Sequence, residues 1–221
     1  DNMVIKENTA EQGAGMYLNA TDQVEFSNIV IKNNTAEYSG GGLYLYRTNT
    51  HFTNVVIQGN QASGSAGVWI SSESNSILKN VTIANNQAQT VNSGGVYVHW
   101  HSRALFINST IVNNVVIENP HASGIGASWS VDIALINSIV ANNGTGNLYI
   151  NNYVNAQQIE NGYTEPIPSD YFIYHSNIQG SLEGIDTQNN GTVYWEYGNI
   201  DVDPEFTNPI PIDDYSLQST S

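Results

Sequence analysis

From Met3 to Asn143 short apolar runs return at a near-constant distance, each closed by the same polar corner. "MVIKENTA", "IVIKNNTA", "VVIQGNQA" and "VTIANNQA" align so that Asn8, Asn34, Asn60 and Asn86 stand 26 residues apart, and the series continues through Asn114 and Asn143 at spacings of 28 and 29. A second series, Asn28, Asn54, Asn80, Asn108 and Asn137, keeps the same spacings. Two registers that move together identify a structural repeat.

Each repeat holds three short runs with a period of two. The first is Val24-Glu25-Phe26 or Ala104-Leu105-Phe106, and the second is Ile29-Val30-Ile31 or Val81-Thr82-Ile83. The third is Met16-Tyr17-Leu18, Leu43-Tyr44-Leu45, Val68-Trp69-Ile70 or Val96-Tyr97-Val98. All are rich in β-branched or aromatic residues, and no window carries a helical period. Glycine introduces the third run at Gly15, Gly42, Gly67 and Gly95, with Gly124 or Gly126 in the fifth repeat. A turn there needs positive φ or leaves no room for a side chain.

Three strands per 26 to 29 residues predict an all-β parallel β-helix, in which each strand pairs with its equivalent one coil on, about 4.8 Å away. A leucine-rich repeat shares the period, but its L-x-x-L-x-L frame and helical segment are missing. Stacked coils place equivalent corners above one another. Asn8, Asn34, Asn60, Asn86, Asn114 and Asn143 are therefore expected to form an internal ladder, each amide donating to the next.

The "GGGLYL", "FSN", "FTN" and "FIN" elements resemble right-handed, single-stranded parallel β-helix repeats of the pectin-lyase-like superfamily, including those of polymorphic outer-membrane proteins. The tail segments "YHSNIQGSLEG" (174 to 184), "GNIDVDPEF" (198 to 206) and "DYSLQSTS" (214 to 221) resemble the closing coils of bacterial choice-of-anchor Q β-helix proteins. The resemblance implies the fold for nearly the whole chain. It implies little about activity, because that family is large, surface-exposed and mostly without assigned chemistry.

One domain is expected, with regular coils over 1–147 and, over 148–221, C-terminal coils carrying insertions and an acidic capping segment. The insertions, Leu148 to Ile173 and Asp186 to Tyr197, are expected to project as loops or short strands. The first coil begins without a cap at "DNMVIKEN", so a neighbouring domain or subunit is expected to cover it.

Charge narrows the partners. Five basic against 20 acidic residues give a net charge of -15, which repels nucleic acid and anionic membranes at long range. All five basic residues precede position 104, whereas eleven acidic residues follow position 144. No run is long enough for a membrane span, and the basic start and apolar run of a signal peptide are missing from the first residues. An export signal is thus expected outside these residues. The absence of cysteine excludes disulfides, thiolate metal sites and a cysteine nucleophile. Few lysines and 31 asparagines suit an extracellular or cell-surface bacterial protein.

Alternation turns the middle residue of each third run outward. Tyr17, Tyr44, Trp69 and Tyr97 are expected in one exposed column, suited to sugar-ring stacking or protein docking, with Trp100 at its edge. Beyond it, turns bring Arg47, His51, Glu73, His99, Trp100, His101 and Arg103 to the same side. His99 and His101 could share a face, but two ligands make an incomplete metal site. Polysaccharide lyases of the resembled superfamily combine a basic residue that abstracts a proton with a cation or arginine that neutralises the uronate. Lys79, Arg47 and Arg103 are the nearby candidates and do not align in adjacent coils. Glycoside hydrolases need paired carboxylates, whereas Glu25, Glu37, Glu73, Glu118 and Asp132 stand isolated in sequence. Asp201, Asp203, Glu205, Asp213 and Asp214 supply the oxygen ligands that Ca²⁺ prefers, yet turn and capping roles explain them more readily. No cofactor is expected. Sequons at Asn19, Asn33, Asn80, Asn108, Asn143 and Asn190 matter only if the source glycosylates exported proteins.

The first reading is a non-catalytic extracellular structural or adhesive β-helix module with glycan contact through the aromatic column. The alternatives are a polysaccharide lyase or glycoside hydrolase, and a self-assembling filament subunit.

Overall fold

The computed structural model describes residues 3–90, 93–118, 123–144, 146–150, 165 and 167–206. Their strands form three parallel sheets, one along each side of a stack of coils. Sheet A runs through Met3–Lys6, Val24–Lys32, Asn49–Gln58, Asn75–Ala84, Arg103–Ile107, Asp132–Ile136, Ser169–Tyr174 and Gly191–Trp195. Sheet B contains Thr9–Gln12, Thr35–Ser39, Gln61–Ala62, Gln87–Ala88 and Val115–Val116. Sheet C contains Met16–Asn19, Leu43–Tyr46, Val68–Ser71, Val96–His99, Ile125–Ser128 and Leu148–Ile150. The register follows the repeat, with Ile29, Val55 and Val81 paired in one column and Leu43, Val68 and Val96 in another.

The expected all-β parallel β-helix with three strands per coil is therefore present. Its strands divide differently from the expectation. Val24–Phe26 and Ile29–Ile31 are two halves of one strand, Val24–Lys32, which passes through Asn28 at φ 57°. The third side is sheet B, whose Ala10, Ala36, Ala62, Ala88 and Val116 build a small cluster of their own. Two-residue strands carrying alanine show no alternation of large apolar residues, so periodicity did not reveal them.

The main core lies between the sheets. Its inward columns include Phe26, Phe52, Leu78, Phe106 and Leu135 from sheet A, and Leu45, Ile70, Val98, Ala127 and Ile150 from sheet C. Each large side chain so buried contributes about 1.5–3 kcal/mol. At Gly15, Gly42, Gly67, Gly95 and Gly124 an added Cβ would collide with the carbonyl oxygen of the next coil. Close approach, rather than positive φ, requires glycine there.

The C-terminal coils correct the expected insertions. Leu148–Ile150 and Ser169–Tyr174 do not project but continue sheets C and A, and Gly191–Trp195 stacks on Ser169–Ile173. The remainder of the first insertion, 151–164, and the "DYSLQSTS" segment lie outside the described residues. The tail then folds back along the stack. Ile200 bridges to Asn177, and Phe206 packs on Ala84, Val112 and Ile139 on the outer face of sheet A.

Candidate functional site

The aromatic column forms in register. Tyr17 and Tyr44 stack at 5.1 Å and 12°, Tyr44 and Trp69 at 6.0 Å and 6°, and Trp69 and Tyr97 at 5.2 Å and 35°. The column is nevertheless not exposed along its length. Tyr17 is 45% exposed, but Tyr44 and Tyr97 fall to 8% and 3%. Coil spacing is the cause, because rings about 5 Å apart occupy each other's faces and leave only their edges outward. Gly126 follows Tyr97 in the column, and the hydroxyls of Tyr97 and Ser128 share a hydrogen bond of 2.8 Å across that place. Burial pushes the Tyr44 hydroxyl pKa up. Trp69 is half-buried, and its Nε1 is buried without a hydrogen-bond partner among the described residues.

Beside the column three coils share a two-residue left-handed turn. Its residues are Ser72 and Glu73 (φ 60° and 63°), Trp100 and His101 (51° and 54°), and Trp129 and Ser130 (64° and 58°). The turn separates the two histidines that the sequence suggested as a pair. His99 lies among the rings of Trp69, Tyr97 and Trp100 at 5.8, 6.0 and 6.1 Å, with Nδ1 3.4 Å from Ser71 Oγ. Burial, and secondarily the charge of His101, lowers its pKa to about 4. His101 is exposed and meets Trp100 edge to face at 5.4 Å. Trp100 stacks on buried Trp129 at 5.4 Å, so its ring is also engaged.

Charged groups do gather at one recess of about 300 Å³, lined by Glu73, Ser74, Asn75, His101, Arg103, Ser130 and Asp132. Arg103 Nε lies 3.0 Å from Asp132 Oδ2, which neutralises the one cation there. The other basic candidates stay apart. Arg47 lies over the Tyr46 ring at 5.2 Å, and Lys79 stands between Thr53 and Ile107 on the outer face of sheet A. His51 Nδ1 approaches Glu25 Oε1 at 3.9 Å one coil away, and Glu118 accepts from Gln89 Nε2 at 2.8 Å.

Comparison with protein families places this geometry. The model of the right-handed beta helix region matches residues 14–202, most of the chain. The chain belongs to the right-handed β-helix family. Neither the curated proteins nor the solved structures compared with it give a match.

In this β-helix the tail carboxylates hold turns. Asp201 Oδ2 accepts from Gly180 N at 3.2 Å and Ser181 Oγ at 3.3 Å, and Asp203 Oδ1 accepts from Glu205 N at 3.0 Å. Asp213 and Asp214 lie outside the described residues. Among the described residues no three His, Asp or Glu side chains gather as a metal would require. The six sequons divide by position. Asn143 and Asn190 are buried, whereas Asn80 and Asn108 are exposed but donate their Nδ2 to the Oδ1 of Asn54 and Asn80 at 3.0 and 3.3 Å. Asn19 and Asn33 are exposed.

Sequence reasoning passed over a further feature of the β-helix wall. Along the outer face of sheet A one column runs Glu25, His51, Ile77, Leu105, Ala134, Phe172 and Tyr194. Its neighbour runs Ser27, Thr53, Lys79, Ile107, Ile136 and Tyr174. Both columns change from polar to apolar midway, and Phe172 and Tyr194 stack at 4.7 Å and 2°. The signal was readable, since "ALFIN", "IALIN" and "YFIYH" lose the polar alternate of "VEFSN".

Proposed function

We propose that this right-handed β-helix is an extracellular structural module, a rigid spacer whose side walls, including the aromatic column, make adhesive contact with glycans. The observation that carries the reading is repetition. The two asparagine columns and the aromatic column set like residues coil upon coil along the stack. Such a wall suits length and stiffness and offers a repeating surface to a repeating ligand. Glycan contact then falls to the ring edges of the column and to Tyr17. Low lysine content and abundant asparagine accord with an extracellular setting.

A second reading, a polysaccharide lyase or glycoside hydrolase, is favoured by the recess that joins Glu73, His101, Arg103 and Asp132. Its two carboxylates supply the residue types that glycoside hydrolysis uses, although Asp132 is already paired with Arg103. A glycan array read with the native chain, Trp69→Ala and Glu73→Gln separates the readings. Binding that falls at least tenfold in Trp69→Ala supports the adhesive wall. Binding unchanged in that variant removes it, and release of sugar fragments that Glu73→Gln abolishes transfers the function to the recess.

A further inference from the structure

A recess of about 600 Å³, larger than the one beside Arg103, lies between the outer face of sheet A and the returning tail. One wall is built by 108–110 and 137–139 from two successive coils, the other by the tail between Ile200 and Glu205, and His175 and Asn177 complete the lining. Both walls are fixed. The buried Asn177 side chain clips the tail as a strand would, donating Nδ2 to Val202 O at 2.9 Å and accepting from Val202 N at 3.1 Å. Ile200 N donates to Ser176 O at 2.9 Å and Ile178 N to Ile200 O at 3.0 Å. The volume falls within the range of about 300–1,000 Å³ usual for small-molecule sites, and fixed walls lower the ordering cost of binding.

The lining is rich in acceptors, and no lysine or arginine is among the described residues that form it. Asn137 is the last asparagine of the outer column. Its Nδ2 donates to Asn108 Oδ1 at 2.8 Å, whereas its Oδ1 accepts no bond among the described residues and the second Nδ2 hydrogen is unused there. Asp203 turns Oδ1 to Glu205 N at 3.0 Å and leaves Oδ2 without a partner among the described residues, as are both carboxylate oxygens of Glu205. Ile200 and Val202 line the same space with about half of their surface uncovered, at 50% and 54%.

We propose that this recess is a binding site for an amino sugar residue that carries a free ammonium group. The lining selects that ligand. Asp203 and Glu205, with no cation in the lining to offset them, attract an ammonium group and repel a uronate. The open amide of Asn137 accepts from and donates to ring hydroxyls, and Ile200 with Val202 offers apolar surface to the C–H face of the ring. A lysine side chain would meet the carboxylates and leave the amide unmet, whereas a neutral sugar would leave the carboxylates unmatched. The net charge of -15, with eleven acidic residues after position 144, draws a cationic polymer toward this part of the chain. The site rests on the glycan-contacting reading above, although none of its residues belongs to the aromatic column.

Titration calorimetry of the native chain with a glucosamine tetrasaccharide, its N-acetylated counterpart and a galacturonate tetrasaccharide tests the site. The expected result is binding of the glucosamine tetrasaccharide alone, with NMR amide shifts at 137–139, 175–177 and 200–205. The double variant Asp203→Asn, Glu205→Gln keeps the Oδ1 that holds the turn and should weaken binding about tenfold or more. Glu11→Gln with Glu37→Gln removes the same charge from sheet B and should weaken it less than about twofold, because distant charges are screened. Trp69→Ala should leave it unchanged. Equal binding of the N-acetylated tetrasaccharide, an equal loss in the sheet B variant, or shifts confined to sheet C overturns the site. If the glucosamine tetrasaccharide does not bind while the array still registers other glycans, the site falls and the glycan reading stands; if no glycan binds in either measurement, both fall.

Discussion

The two asparagine columns share a residue type and a spacing, yet they stand on opposite sides of the coil wall and answer different demands. Inside, Asn86 is fully buried and every polar atom of its side chain is engaged. Its backbone N–H and Nδ2 donate to Asn114 Oδ1 at 3.0 and 2.9 Å, its Nδ2 also to Ile57 O at 3.0 Å, and its Oδ1 accepts from Asn60 N and Nδ2, both at 3.0 Å. Outside, Asn54, Asn80, Asn108 and Asn137 are exposed, and their amides are linked in a single chain of bonds of 3.0, 3.3 and 2.8 Å. What unites the outer column is backbone conformation, with φ between 49° and 57° from Asn137 to Asn28. Asparagine tolerates that left-handed region better than other residues with a side chain. Inside, hydrogen bonding without water selects asparagine; outside, the bend of the strand does.

The largest effect expected from this difference is at the inner column. Asn86→Leu leaves Asn60 N buried without this partner and takes the amide donor from Ile57 O, whereas Asn60 Nδ2 keeps Ile31 O and Asn114 Oδ1 keeps the backbone N–H of residue 86. Each group so deprived costs about 1–3 kcal/mol, so the variant should lose more than about 2 kcal/mol in urea unfolding. A loss below about 1 kcal/mol would erase the distinction between the columns, because an exposed rung would then be worth as much.

The spacing of both columns was legible because a stacked corner repeats its demand in every coil. Which column faced inward was legible as well: the inner asparagine follows "IVIKN" or "VTIAN", at the end of an apolar run, and the structure buries it. Sheet B was not legible, since alanines such as Ala36 and Ala62 repeat with the coil but show no alternation of large apolar residues that would mark a strand. The burial of Tyr44 and Tyr97 was missed for a related reason. Alternation gives the direction of a side chain, whereas exposure depends on what its stacked neighbours cover. The role of Phe206 was out of reach from the tail motif alone. Its docking place appears only when Lys32, Gln58, Ala84, Val112 and Ala141 are set in one column and the long polar residues give way to small apolar ones.

At the outer column the effect should be smaller and should follow the backbone. Asn80→Ala forfeits one exposed amide bond on each side and places a Cβ residue in the left-handed region, for about 1 kcal/mol. Asn80→Gly loses the same bonds without the steric penalty and should cost less than Asn80→Ala. The reverse order in thermal unfolding would make the amide chain, instead of the bend, the reason for asparagine.

The finest test lies where the outer column ends. His175 occupies the next place after Asn137 at φ 47°, with its ring edge-on to Tyr197 at 6.2 Å and against Gly198, where an added Cβ would collide with the imidazole. In His175→Asn the new Nδ2 would donate to Asn137 Oδ1 as each earlier rung donates to the one before it, while the edge-on packing against Tyr197 disappears. One exposed hydrogen bond nearly offsets one pair of surface rings, so stability should change by less than about 0.5 kcal/mol in urea unfolding. If backbone conformation sets the identity of this column, asparagine is as acceptable at 175 as at 137. A destabilisation above about 1 kcal/mol would assign His175 to the tail, as the residue that packs Tyr197 and Gly198 against the last coils, and the outer column would then end at Asn137 for a packing reason.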